Sequence, residues 1–108
     1  MNIQIFGKSK CFDTKKAERW FKERRIKYQY IDLLKYGMSR GELQSVISSV
    51  GLGALIADSE QGLIRYLAHD SDKLDKLYEE PSCIQTPVVR NGKKVTVGYR
   101  PDVWETWD

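Results

Sequence analysis

Residues 3–27 read IQIFGKSKCFDTKKAERWFKERRIK, and the change of rhythm inside this stretch decides the fold. Ile3 and Ile5 flank the polar Gln4, a period of two that suits a half-buried strand. Gly7-Lys8-Ser9-Lys10 breaks that pattern and reads as a loop. From Asp13 the period becomes helical: Ala17, Trp20 and Phe21 stand at i, i+3 and i+4 among Lys, Arg and Glu, one apolar stripe on a charged helix that Ile26 closes. Cys11 therefore stands where the helix begins. The thiolate is the nucleophilic form of cysteine, and unpaired N–H groups in a first helical turn carry partial positive charge that favours it. Lys8, Lys10, Lys15 and Lys16 add positive charge around that position, and Thr14, three residues on, is placed to offer its hydroxyl to the sulfur. The alternative is a small buried residue at a strand end, since free cysteine packs well in cores.

Working outward, Tyr28, Tyr30 and Asp32 alternate with Gln29, Ile31 and Leu33, a second strand over about 27–32. Two strands joined by a helix are expected to lie parallel and adjacent. Residues 35–38 read as loop. Ser39-Arg40-Gly41-Glu42 is a capping box, and Leu43, Val46, Ile47 and Val50 follow at i, i+3, i+4 and i+7, with Gly51 ending that helix in the αL region. Residues 52–57 read as a short helical turn. Asp58-Ser59-Glu60 opens another helix with Leu63, Ile64 and Leu67 inward. Ser71-Asp72 caps a further one carrying Leu74, Leu77 and Tyr78, and Pro81 stops it. His69, the single histidine, reads as a surface residue at a helix end rather than a ligand or base. Residues 39–80 thus form a helical block without a strand signal. Pro87–Arg90 and Lys94–Val97 flank Asn91-Gly92, the strongest short hairpin signal, because both central residues take positive φ. Pro101 opens a last helix with Val103, Trp104 and Trp107 inward.

The order β-α-β, helical block, β-β-α predicts an α/β protein with a mixed four-stranded, thioredoxin-like sheet. The whole of 1–108 is one domain: a core of about 1–37 and 83–108, and a helical insertion of about 38–82. In such a sheet the Thr86-Pro87 turn comes beside Cys11, with Pro87 either cis or an ordinary trans residue at a strand's start.

Composition bounds the function. With 108 residues, 41% hydrophobic and 31% charged, the chain can close a core without disulfides. No apolar run approaches the ~20 residues of a membrane span. Two distant cysteines give neither a disulfide framework nor a metal-ligand spacing, so no metal and a reducing, cytoplasmic setting are expected. The net charge of +3 is uneven: residues 1–50 hold 11 Lys/Arg against 5 Asp/Glu, and residues 51–108 hold 7 against 10. An electropositive half suits an oxyanion or an acidic partner, or is simply a solvated helix face. No basic run is interleaved with aromatics for base stacking, so direct DNA binding is not expected.

Lys10-Cys11-x-x-Thr14-x-Lys16-Ala17 after the first strand, Ser39-Arg40-x-Glu42-Leu43, and Thr86-Pro87-Val88-Val89 followed by Gly98-Tyr99-Arg100-Pro101 together resemble the arsenate reductase–Spx (ArsC/Spx) family. The resemblance runs in order over essentially the whole chain and is closest in RNGKKVTVGYRPDVW, residues 90–104. It implies a thioredoxin fold with a helical insertion and a functional Cys11. In the reductases of this family the cysteine at that position attacks an oxyanion, and glutathione and glutaredoxin resolve the adduct, with no bound cofactor. Three arginines hold the anion there. Arg100 fits the third, Thr86 stands in place of the second, and Ala54–Asp58 offers none for the first. The Spx branch often carries a Cys-x-x-Cys switch and binds the C-terminal domain of the RNA polymerase α-subunit. Thr14 in place of the second cysteine removes a switch of that spacing, and a Cys11–Cys83 disulfide is not expected. Two functions are therefore carried forward. The first is a thiol oxidoreductase using Cys11, with Lys10, Thr14, Lys15 and Arg100 stabilising the anion and the Thr86-Pro87 loop shaping the groove. The second is an Spx-like regulator.

Overall fold

The computed structural model describes residues 1–60, 64, 66–67 and 69–107, Ser59 by its backbone alone. The elements run β1 (Ile3–Gly7), α1 (Phe12–Glu23), β2 (Tyr28–Asp32), α2 (Leu33–Tyr36), α3 (Arg40–Val50), α4 (Leu52–Leu55), a 3-10 turn (Asp58–Glu60), α5 (Asp70–Glu79), a second 3-10 turn (Pro81–Cys83), β3 (Val88–Asn91), β4 (Lys94–Val97) and α6 (Pro101–Trp104). The sheet order is β2-β1-β3-β4. β1 and β2 are parallel with Ile5 opposite Tyr30, and β1–β3 and β3–β4 are antiparallel. This is the mixed four-stranded, thioredoxin-like sheet that the sequence predicts.

Strand alternation sends each side chain to one of two cores. Ile3, Ile5 and Val89 meet Ala17, Trp20 and Phe21 of α1 and Trp104 and Trp107 of the C-terminal segment. Phe6 and Val88 point to the other face, where Leu43, Val46, Leu55, Leu77 and Ile84 cover them. The helical block is therefore the second covering layer of the sheet. On the α1 side, Trp104 ties the C-terminal helix to β4, donating Nε1–H to Thr96 Oγ1 at 2.7 Å.

Several local expectations need correction. α1 ends at Glu23, not Ile26: Ile26 N–H reaches Phe21 O at 2.9 Å and Arg25 N–H reaches Lys22 O at 3.0 Å, a Schellman closure with Arg25 at φ 58°. Residues 33–36, read in part as loop, form helix α2 because the Asp32 carboxylate accepts from Leu34 N–H at 3.0 Å. The capping box at Ser39 and Glu42 is present, but Gly51 leaves α3 at φ 86°, ψ 153°, an extended glycine conformation rather than αL. α5 begins at Asp70 with His69 at its N-cap, two residues before Ser71-Asp72 would have placed it, and His69 is exposed. The block also has one strand-like contact: Ile56 bridges Ile84, with Ala57 N–H bonded to Cys83 O at 2.8 Å and Gln85 N–H to Leu55 O at 2.7 Å. Ile64 is buried and Leu67 half-buried, while the inward position expected of Leu63 lies outside the described residues.

Candidate functional site

Cys11 is the N-cap of α1, in extended backbone conformation, and Lys15 N–H makes the first helical bond to its carbonyl at 3.2 Å. β1 delivers it: the strand ends at Gly7, and the four residues from there to Cys11 turn the chain into the helix. From the opposite side comes the Thr86-Pro87 turn, whose peptide bond is cis. The Cys11 thiol donates to Thr86 O at 3.7 Å. Thr86 and Pro87 are buried, and Cys11 is partly exposed. A cavity of about 400 Å³ opens over the sulfur, lined by Lys8, Ser9, Lys10, Cys11, Leu34 and Thr86.

Burial alone would raise the pKa of Cys11. It is outweighed by hydrogen bonds from the Thr14 and Thr86 hydroxyls and from the main-chain N–H groups of Thr14 and Asp13, so the thiol lies below its ordinary value. Thr14 is 1% exposed, and its Oγ1 is buried without a hydrogen-bond partner. Likewise no main-chain N–H closes a regular capping bond on the Cys11 sulfur. These groups find their acceptor once the sulfur is an anion, a stabilisation specific to the charged form.

Lys8 has the most defined geometry among the lysines. Its ammonium donates to Ser82 O and to Ile84 O, both at 2.8 Å, tying the loop before Cys11 to the strap that leaves the helical block. Burial lowers its pKa, partly offset by the charges of Cys11, Cys83 and Glu60. Lys10 is exposed on the cavity rim. Lys15 is exposed on α1 and is not among the cavity's lining residues. Arg100 is also outside that lining: it is exposed at the start of α6, with Nε and Nη2 each 3.3 Å from the Asp102 carboxylate. The structure thus brings together Cys11, Lys10, Thr14, Thr86 and Pro87 of the expected site residues, and does not bring Lys15 or Arg100 to the cavity.

Gly7, Leu34 and Tyr30 complete the site and were not singled out from sequence. Gly7 carries Thr14 directly above its Cα and has the Tyr30 ring beside it. Tyr30 has a raised pKa, from burial first and then from the charges of Asp32, Glu18 and Cys11. Leu34, 58% exposed, gives the cavity an apolar side, while Phe12, next to the cysteine in sequence and 80% exposed, is not among its lining residues. Cys83 is a free thiol like Cys11 but buried, and its pKa is raised by burial and by Glu60 and Glu80. Among the described residues no three His, Cys, Asp or Glu side chains gather as metal ligands, and no helix is long and apolar enough to cross a membrane.

Known proteins place this arrangement in context. Residues 3–52, which hold β1, Cys11, α1 and β2, match the Glutaredoxin family. The chain is 28% identical over 109 residues to the global transcriptional regulator Spx 2 of Oceanobacillus iheyensis, covering 94% of this chain and 80% of that protein. Among solved structures, a putative ArsC family related protein from Bacteroides fragilis superposes with a TM-score of 0.88 at 19% identity, over 100% of this chain and 98% of the other. The arsenate reductase from Vibrio cholerae superposes with a TM-score of 0.82 at 20% identity, over 95% and 94% of the two chains. The chain is accordingly a thioredoxin-fold protein with a glutaredoxin-like first half, similar in sequence to proteins named Spx and in structure to ArsC-related proteins, an arsenate reductase among them.

Proposed function

We propose that this chain is a thiol oxidoreductase working through the single cysteine Cys11, coupled to glutathione and glutaredoxin. The observation that carries the reading is the sulfur itself: an N-cap thiol on a cavity, 3.7 Å from the carbonyl before the cis proline, pulled below its ordinary pKa by hydrogen bonds to its anion. In the reaction the Cys11 thiolate attacks one sulfur of a glutathione disulfide. The S–S bond breaks, a Cys11–glutathione disulfide forms, and one glutathione thiolate leaves with the electron pair. A glutaredoxin thiolate then attacks the glutathione sulfur, returns Cys11 as thiolate and carries the disulfide away. Two measurements test this. Alkylation of Cys11 by iodoacetamide is to show an inflection below the ~8.5 of a free cysteine, and oxidised glutathione is to give a mixed disulfide at Cys11 that glutaredoxin removes. Slow alkylation with an inflection at ~8.5 or above, and no adduct, would falsify the reading.

Arsenate is a poor fit as substrate. A tetrahedral oxyanion needs several charge-assisted donors, and Arg100 is committed to Asp102. With arsenate, glutathione and glutaredoxin supplied, turnover is expected no higher than for Cys11→Ser.

The relatives named as global transcriptional regulators support a second reading, a regulator, and the resemblance to the Spx branch makes the C-terminal domain of the RNA polymerase α-subunit the partner to test. Titration with that domain separates the two: saturable binding supports regulation, and none at ~100 μM removes it at any useful affinity.

A further inference from the structure

We infer that Lys8 is the counter-charge for the thiolate that leaves when Cys11 exchanges with a disulfide. The inference rests on the reading of Cys11 as nucleophile and assigns to Lys8 a part in the same step. Lys8 and Cys11 line one cavity. The ammonium is fixed from behind by the Ser82 and Ile84 carbonyls, each at 2.8 Å, which take two of its three protons and leave the third for an anion in the cavity. It is a half-buried cation, so its field in the cavity is less screened than that of the exposed Lys10 and Lys15. Because two main-chain carbonyls hold it, no side-chain reorganisation accompanies the appearance of the new charge. The thiolate of Cys11 already draws its own stabilisation from Thr14, Thr86 and the α1 amides. What lacks a partner during exchange is the second sulfur.

The step balances without a further reagent. The Cys11 thiolate attacks one sulfur of R–S–S–R, the S–S bond breaks, Cys11–S–S–R forms, and R–S⁻ departs with the bonding pair. Lys8 keeps its proton and pairs with R–S⁻ until that sulfur takes a proton from water. The Cys11 sulfur is oxidised and the leaving sulfur reduced to the same extent, so no outside oxidant or reductant is needed. Assistance of this kind matters most where the leaving thiol is basic and least where its charge is already delocalised.

Two neutral probes on the full chain separate the cases. Bis(2-hydroxyethyl) disulfide releases a basic, localised thiolate, and 2,2′-dithiodipyridine releases a delocalised one. Lys8→Gln, which keeps a donor for the strap carbonyls but no charge, is expected to slow the first reaction about tenfold, a loss of about 1.4 kcal/mol of barrier stabilisation, and the second less than twofold. Lys8→Arg is to restore the first. Equal slowing of both probes, or slowing of neither, overturns the inference, since a merely structural lysine would affect both alike. A measurement on the unaltered chain covers the event that Lys8→Gln does not fold. Across a series of neutral disulfides, log rate against leaving-thiol pKa is to be shallower than for glutathione as attacking thiol, and an equal slope overturns the inference. Failure of the underlying reading looks different: Cys11 of the unaltered chain would then show no depressed inflection with iodoacetamide, whatever stands at position 8.

Discussion

Thr14 lies directly over Gly7: a Cβ added at Gly7 would fall 2.3 Å from Thr14 Cγ2 and 3.0 Å from its Oγ1. The last residue of β1 is therefore bare because the Thr14 side chain, its methyl foremost, occupies the space where a side chain would be. Gly7→Ala is expected to cost about 1–3 kcal/mol, the usual range for overpacking a rigid site, since Thr14 is β-branched, buried and on the first turn of α1. The same variant displaces the Thr14 hydroxyl, so Cys11 alkylation at pH 7 is to slow as well. Unchanged stability in urea would show that Thr14 yields freely.

Thr14→Val keeps the shape and removes the hydroxyl. Because Oγ1 is buried without a hydrogen-bond partner, the variant is expected to be as stable as the parent, or slightly more so, below the pH at which Cys11 ionises. A hydrogen bond to a charged group is worth about 1.5–3 kcal/mol, so alkylation at pH 7 should fall roughly tenfold. A rate equal to that of the parent would remove Thr14 from the site.

Stability is expected to follow the Cys11 thiolate. Its folded pKa is depressed, so its contribution is fully present above the unfolded value, about 8.5, and disappears as pH falls through the folded pKa. Chemical denaturation of the parent and Cys11→Ser across pH 5–9 should therefore give a stability difference that grows with pH in favour of the parent. Cys83, whose raised pKa acts in the opposite sense, is common to both proteins and cancels. A flat difference would mean that the folded protein does not favour the anion.

The two thiols should also differ in access. Cys83 is 2% exposed and held as the neutral form by burial and by Glu60 and Glu80. One thiol is expected to react promptly with an alkylating agent at pH 7.5 in buffer and two in denaturant, with Cys11→Ser silent in buffer.

Arg25 closes α1 from φ 58°, where a non-glycine residue is strained. Its side chain is exposed. Arg25→Gly is expected to raise stability by about 0.5–1 kcal/mol, the relief at a left-handed C′ position less the entropy glycine loses on folding. A loss of stability would locate an unsuspected role for the guanidinium.

Much of the architecture was legible because it is written in local signals. The period change between Ile5 and Ala17 marks β1 and α1, Ser39 with Glu42 marks the start of α3, and Asn91-Gly92 marks the hairpin but not its turn: Asn91 pairs with Lys94 inside the ladder, the turn is Gly92-Lys93, and of the expected pair only Gly92 takes positive φ. What was less legible depends on side-chain contacts that no periodicity displays, near or far along the chain. Gly7 reads as a mere break in a strand pattern until Thr14 is seen above it. Asp32 reads as the last residue of a strand, and only its bond to Leu34 N–H reveals the short helix that brings Leu34 to the cavity. Lys8 is one of several lysines in sequence, and its distinction is a pair of bonds to residues more than 70 positions away. Arg100 was expected with the anion from the family resemblance alone, and the structure leaves it exposed, outside the cavity and bonded to Asp102, two residues on.

All three tryptophans, Trp20, Trp104 and Trp107, are buried in the α1 side of the sheet, with Trp20 and Trp104 centred 5.5 Å apart. Intrinsic fluorescence will accordingly monitor one half of this molecule. A partial opening of the layer built from α3, α4 and α5 would leave the emission spectrum nearly unchanged while ellipticity at 222 nm fell. Non-coincident midpoints from the two signals would then report which half lets go first.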